Sequence, residues 1–138
     1  MIYENLSVPT VRTPESVAAV VRSILSAENE VDRDKEHFFV FGCSASLGIK
    51  YVELVSLGTL TASIVHPREI FRLAVMKGIA SLILAHNHPS GTLKPTIEDC
   101  NVTNRLKQAG DILGIQVLDH VIVSESGFYS FDKHNLLK

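Results

Sequence analysis

The chain predicts an α/β fold in three layers, with a mixed β-sheet sandwiched between helices. Three observations predict it. Apolar residues recur at helical spacing in two stretches, Pro67 and Gly78 bracket a further helix between them, and strand-like stretches alternate with these. The run Ile79 to Ala85 (IASLILA) is apolar without alternation, which is how a central strand covered on both faces reads. EHFFVFG and YVELVSL, joined by a short turn, read as an antiparallel pair. Strands that alternate with helices place helices against both faces of the sheet.

Taken in order, residues 1–13 read as an extended arm, and residues 14–138 as one domain. Thr13 suits the N-cap of a first helix, Pro14 its first position and Glu15 the positive end of its dipole. Val17, Val20, Val21, Ile24 and Leu25 make its apolar stripe, and the charged run EVDRDKE ends it. The two strands follow, with Ser44 to Gly48 as the turn and Gly58 to Val65 continuing extended. Pro67, Arg68 and Glu69 open a second helix that Gly78 stops near Met76.

The central strand comes next, then the loop HNHPSGTLKPT. Residues 97–113 carry Val102, Leu106, Ala109, Ile112 and Leu113 at helical spacing, with Gly114 past the end. Ile115 to Val123 (IQVLDHVIV) is a strand, and Phe128 to Phe131 closes the sheet after a turn at Glu125 to Gly127. No internal repeat is present.

Composition excludes several classes. A net charge of −2 with interspersed signs offers no basic footprint for nucleic acid, so any DNA association would run through partners. The longest apolar run is too short to span a bilayer, and the acidic, proline-containing start is no signal peptide. Cys43 and Cys100 form no CxxC pair and no disulfide framework; they read as small hydrophobes in a reducing, cytoplasmic setting. Oligomeric state is not written in the sequence.

The chemistry concentrates in LAHNHPSGTLKPTIEDC. His86 and His88 are two apart at the carboxyl end of the central strand, so both imidazoles leave the same face. Open α/β sheets place ligands at strand carboxyl ends. Asp99 follows in the first turn of the next helix, after a loop anchored by Pro89, Gly91 and Pro95 that can fold it back over the strand end.

Two imidazoles and a carboxylate suit a divalent metal, Zn²⁺ above all, with a fourth position left for water. Thr96 and Asp99 also read as a capping box, which can hold at the same time. Amidohydrolase barrels need about 250 residues. Cupins are all-β, and the zinc deaminases need a P-C-x-x-C that this chain lacks.

The segment His86 to Asp99 resembles the JAMM motif (H-x-H-P, six residues, Ser, two residues, Asp) of the MPN/JAB metalloprotease superfamily. The words GTLTASIVHPREIF, AHNHPSG and LGIQVLDHVIV resemble the RadC family within it, over roughly residues 15–131. The resemblance implies the MPN/JAB, cytidine deaminase-like sandwich, with His86, His88 and Asp99 at the zinc-ligand positions. It also implies that Glu36, fifty residues before His86 and just ahead of a strand, is the general acid/base. From the residues alone Glu36 reads as a solvated member of a charged run.

Thr96 stands where the family has serine; it keeps a hydroxyl donor but adds a methyl group. The helix–hairpin–helix region common in RadC-like proteins has no counterpart in these 138 residues.

The implied activity is zinc-dependent hydrolysis of an amide, peptide or isopeptide, in a peptide or protein substrate. Glu36 would move the proton and Thr96 would donate to the developing oxyanion. The alternative is a metal-containing, non-catalytic module that acts with DNA-repair or mobile-element proteins.

Ser90 and Gly91 shape the loop, and His66 reads as a helix-start residue. Asp119 and His120 point to opposite strand faces, so at most one can approach the metal. They read either as support for a ligand imidazole or as a satisfied structural pair.

Overall fold

Capping chemistry sets the helix boundaries. In the computed structural model, which describes residues 1–3, 9–58 and 65–137, helix α1 spans Pro14–Ser26. Thr13 caps it: its hydroxyl accepts the Ser16 N–H at 3.2 Å, and the Ser16 hydroxyl receives the Thr13 N–H at 3.3 Å. The remaining elements are β1 (Ile2–Tyr3), α2 (Glu30–Arg33), β2 (His37–Cys43), β3 (Ile49–Leu57), α3 (Pro67–Lys77), β4 (Ser81–Asn87), α4 (Ile97–Leu113), β5 (Gln116–Val123) and β6 (Phe128–Ser130). α3 and α4 end on Gly78 and Gly114, at φ of +68° and +74°, the left-handed caps that glycine adopts without strain. The expected extension from Gly58 to Val65 falls on 59–64, outside the described residues.

The six strands form one sheet in the order β1-β3-β2-β4-β5-β6. β4 and β5 are parallel, joined by the α4 crossover, and the other neighbours are antiparallel. The sheet is mixed, as the sequence predicts.

Strand periodicity divides the core into two. Phe38, Val40, Leu82, Leu84 and Val117 face α3 and α4, where Phe71, Val102 and Leu106 meet them. Phe39, Phe41, Ile83, Ala85, Val121 and Val123 face α1, against Val17, Val21 and Ile24. Helices therefore cover both faces in three layers. Burying Phe38, Phe39 and Phe41, all essentially inaccessible, contributes about 1.5–3 kcal/mol apiece before entropy is counted.

Gly110 is required by packing. A Cβ on Gly110 would lie 2.4 Å from the Ile115 carbonyl oxygen, so only glycine lets α4 pass this close to the start of β5.

The sheet differs from the predicted one at its edges. Ile2 and Tyr3 pair with Glu53 and Val52 and add a short edge strand. Thr10 bridges Gly48, and Val11 is buried on the α1 side, so the described ends of the arm attach to the sheet. A four-residue helix, α2, occupies the charged run, capped by the Asn29 side chain on the Asp32 N–H at 2.9 Å. β4 begins at Ser81, because Ile79 N–H is tied back to Ala74 O at 2.9 Å; it runs on through His86 and Asn87. No helix among the described residues is long and apolar enough to cross a membrane.

Candidate metal centre

The site is assembled where β4 ends. Alternation along β4 sets His86 on the α4 side with Leu82 and Leu84, and Asn87 on the α1 side with Ile83 and Ala85. His88 lies just past the strand; its N–H still bonds Val123 O on β5 at 2.9 Å, so its imidazole returns to the α4 side. A tight turn follows, with Gly91 N–H on His88 O at 3.0 Å.

The carboxylate arrives from α4. Thr96 is the N-cap, its hydroxyl accepting the Asp99 N–H at 3.1 Å, while Asp99 Oδ2 accepts the Thr96 N–H at 2.8 Å. This capping box fixes Asp99 with its oxygens toward β4. Asp99 Oδ1 lies 3.2 Å from His86 Nε2, Asp99 Oδ2 lies 3.2 Å from His88 Nε2, and the two Nε2 atoms are 2.9 Å apart. All three side chains are buried.

The donor set fits zinc. Zn–N bonds of 2.0–2.1 Å at tetrahedral angles hold ligand atoms about 3.3 Å apart, close to the 3.2 Å that separates each Nε2 from one oxygen of the carboxylate. Among the described residues, His86, His88 and Asp99 are the three whose ligand atoms converge this way, all within 4.8 Å. The tautomer of His88 is also right. Its Nδ1 lies 2.6 Å from the Thr92 carbonyl, which can only accept, so Nδ1 carries a proton, and Nε2, which donates to Asp99 in the metal-free cluster, is the nitrogen whose proton a metal would replace.

Electrostatics of the metal-free cluster agree with close association. For Asp99, burial alone would raise the pKa, but hydrogen bonds from His86 and His88 outweigh it and hold the carboxyl well below the ordinary range. His88 is shifted up, first by its hydrogen bond to Asp99 against the opposing effect of burial, and then by Thr92 and the charges of Asp99 and Glu36.

The strand register locates Glu36. β2 and β4 run antiparallel with Phe38 opposite His86, and continuing the register sets Glu36 across from His88. The residue is half-buried. Asn87 braces the chain on both sides of it: Oδ1 accepts the His37 N–H at 2.6 Å, and Nδ2 donates to Lys35 O at 3.1 Å. The residue between the two histidines therefore grips the segment that carries Glu36.

Thr96 sits at the exposed rim of the centre. Its oxygen accepts in the cap, so its own proton remains available to donate. Glu53 lies elsewhere, buried in β3, with Arg72 Nη2 3.9 Å away. Cys43 and Cys100 are both free; burial pushes the Cys43 thiol up to about 11, as expected of a small hydrophobe.

One residue behind the centre has a role that its neighbourhood in sequence leaves open. His120 is fully buried on β5, and its Nε2 lies 2.6 Å from His86 Nδ1. It reaches that face because β5 is irregular. Leu82 pairs with Val117 but Ile83 pairs with Asp119, so Leu118 is an extra residue, a β-bulge. Val117 and His120 are three apart yet both serve the α4 side, whereas Leu118 and Val121 pack on the α1 side. Asp119 points away from the centre and is itself satisfied, accepting from Ser130 Oγ at 2.6 Å and from Asp132 N–H at 3.0 Å. Desolvation in the core, and then the His86 charge, hold His120 well below the usual histidine range.

Comparison with known proteins places these features in a group. The family model for the RadC-like JAB domain matches residues 11–136. A UPF0758 protein of Rubrobacter xylanophilus is 40% identical over 136 residues, covering 99% of this chain and 57% of the relative. A UPF0758 protein of Chlorobaculum tepidum is 50% identical over 106 residues, covering 77% of this chain and 48% of the relative. One from Desulforudis audaxviator is 44% identical over 128 residues, covering 93% and 54%. The chain spans about half the length of the curated relatives it matches.

Proposed function

The chain belongs to the RadC-like JAB domain family, and from that premise we propose that it is a zinc-dependent hydrolase of the JAMM type, cleaving an amide bond in a peptide or isopeptide. The observation that carries the reading is the buried cluster in which His86 Nε2 and His88 Nε2 lie 2.9 Å apart and each faces one oxygen of the Asp99 carboxylate at 3.2 Å. Three protein ligands are the arrangement of a catalytic rather than a structural zinc site. Zinc bound there supplies a Lewis acid and lowers the pKa of water to about 7.

The remaining work belongs to the chain. Glu36, entering β2 opposite His88, takes the proton from the attacking water and returns it to the leaving amine. Asn87 keeps Glu36 at that station by holding the peptide groups on either side. Thr96 donates its hydroxyl proton to the developing oxyanion while its oxygen caps α4.

The test is to incubate the zinc-loaded protein with a library of quenched-fluorescence peptides, beside Glu36→Gln and His88→Ala, with metal content measured in each. Cleavage by the wild type that is lost in Glu36→Gln, with zinc retained, supports the reading. Cleavage at the wild-type rate by Glu36→Gln removes Glu36 as the base, and a wild type that retains no zinc removes the metal. Stoichiometric zinc without cleavage would favour the non-catalytic module.

A further inference from the structure

Behind His86 runs a chain of hydrogen bonds whose direction is fixed at its far end. Thr103 stands one turn after Asp99 on α4, and its hydroxyl lies 2.8 Å from the Asp99 backbone oxygen. A carbonyl oxygen cannot donate, so the Thr103 hydroxyl spends its one proton there, the usual back-bond of a helical threonine. The same oxygen contacts His120 Nδ1 and must accept from it. His120 is sealed between Phe131, stacked at 4.7 Å, and the edge of Phe38 at 5.6 Å, with no carboxylate in hydrogen-bond contact among the described residues. With its proton on Nδ1, the imidazole has a lone pair at Nε2, and the group facing that lone pair is His86 Nδ1, 2.6 Å away.

We propose that Thr103 and His120 are positioning residues that lock His86 as its Nδ1–H tautomer, so that Nε2 offers a lone pair to the metal. The chain of bonds runs from His86 through His120 and Thr103 to the backbone of Asp99. It ties two of the three ligands together from behind, across β4, β5 and α4. The third ligand has its own device in the Thr92 carbonyl. Neither imidazole then depends on solvent to choose its tautomer, and both rings are held in orientation before a metal arrives.

The inference rests on His86, His88 and Asp99 being zinc ligands, and its test separates the two claims. The full chain is loaded with zinc and its histidine rings are labelled with ¹⁵N; long-range proton–nitrogen spectra then report which ring nitrogen carries the proton. His86 and His120 are both expected as Nδ1–H. Zinc affinity, read by competition with a chelator, should fall roughly 10- to 100-fold in Thr103→Val. Thr103→Ser, which keeps the hydroxyl, should restore it, with thermal unfolding confirming that each variant is folded.

A wild-type His120 protonated at Nε2 overturns the relay even if Thr103→Val does not fold. So does a folded Thr103→Val that binds zinc as tightly as the wild type. A wild type that loses all its zinc to a weak chelator defeats the ligand assignment itself, and the relay with it.

Discussion

Asn87 holds His37 by its backbone: the carboxamide oxygen takes the His37 N–H at 2.6 Å, linking residues fifty apart in sequence. The same side chain donates to Lys35 O, and His37 adds to the brace through Nδ1 on Lys35 O at 2.8 Å and Nε2 on Glu28 at 2.7 Å. Asn87→Leu leaves a buried N–H unpaired, a loss of about 1–3 kcal/mol. Zinc content should stay at the wild-type level, because Asn87 points away from His86 and His88, while hydrolysis that depends on Glu36 declines. Thermal unfolding and metal analysis on the same preparation check this; unchanged stability and rate would show that the brace is idle.

Zinc should stabilise the fold through its binding energy. At a free concentration 100 times Kd the gain is about 2.7 kcal/mol, so the melting temperature should rise with added zinc and drop with a strong chelator. His88→Ala removes one member of the cluster and should unfold at a temperature insensitive to zinc.

Thr96 caps α4, and the proposed function gives it a second, separable duty. Thr96→Ala removes the cap of α4, a loss of about 1 kcal/mol in stability. It also removes the proposed oxyanion donor, which should lower kcat by roughly 100-fold or more. Thr96→Ser retains both duties and should match the wild type in melting temperature while equalling or exceeding it in kcat. A Thr96→Ala protein that loses stability but keeps its kcat would confine the residue to capping.

Glu53 sets a pH dependence of stability. Burial pushes its pKa above the ordinary 4.5, and Arg72 opposes that only in part. Its Oε1 finds no hydrogen-bond partner among the described residues. The charged form is therefore disfavoured by folding, so this group's contribution is intact below 4.5 and is lost as pH rises through the raised value. Glu53→Gln should equal the wild type below pH 4.5 and be more stable at neutral pH, by about 1 kcal/mol at most, since Arg72 sits in solvent. Denaturant melts across that range decide it.

Most of the sheet was readable in the sequence because its signals are local. The aromatic run of β2, the unbroken apolar run of β4 and the glycine stops at Gly78 and Gly114 each need only a few neighbouring residues. The spacing of His86 and His88 is equally local, since two residues on one strand share a face whatever surrounds them. Ile2 and Tyr3 are too few to show a period, and α2 hides in a charged run held by one asparagine cap. The duties of Asn87 and Thr103 were illegible, and the choice between Asp119 and His120 as support for a ligand imidazole stayed open, for a different reason. Each is defined by a partner on another element, and a polar residue in a strand or helix looks the same with or without that partner.

The bulge at Leu118 gives β5 two reading frames, one fixing Val117 and the other fixing His120, Val121, Ile122 and Val123. Chain length here is as specific as side-chain identity. Removing Leu118 merges the frames without exchanging the faces, so His120 keeps its place behind His86 and only the packing of one leucine is lost. Adding or removing one residue between His120 and the end of the strand reverses every position on one side of the change, and trades valines against α1 for residues meant for the α4 face. Insertions and deletions in β5 should therefore be tolerated at one point and nowhere else along the strand.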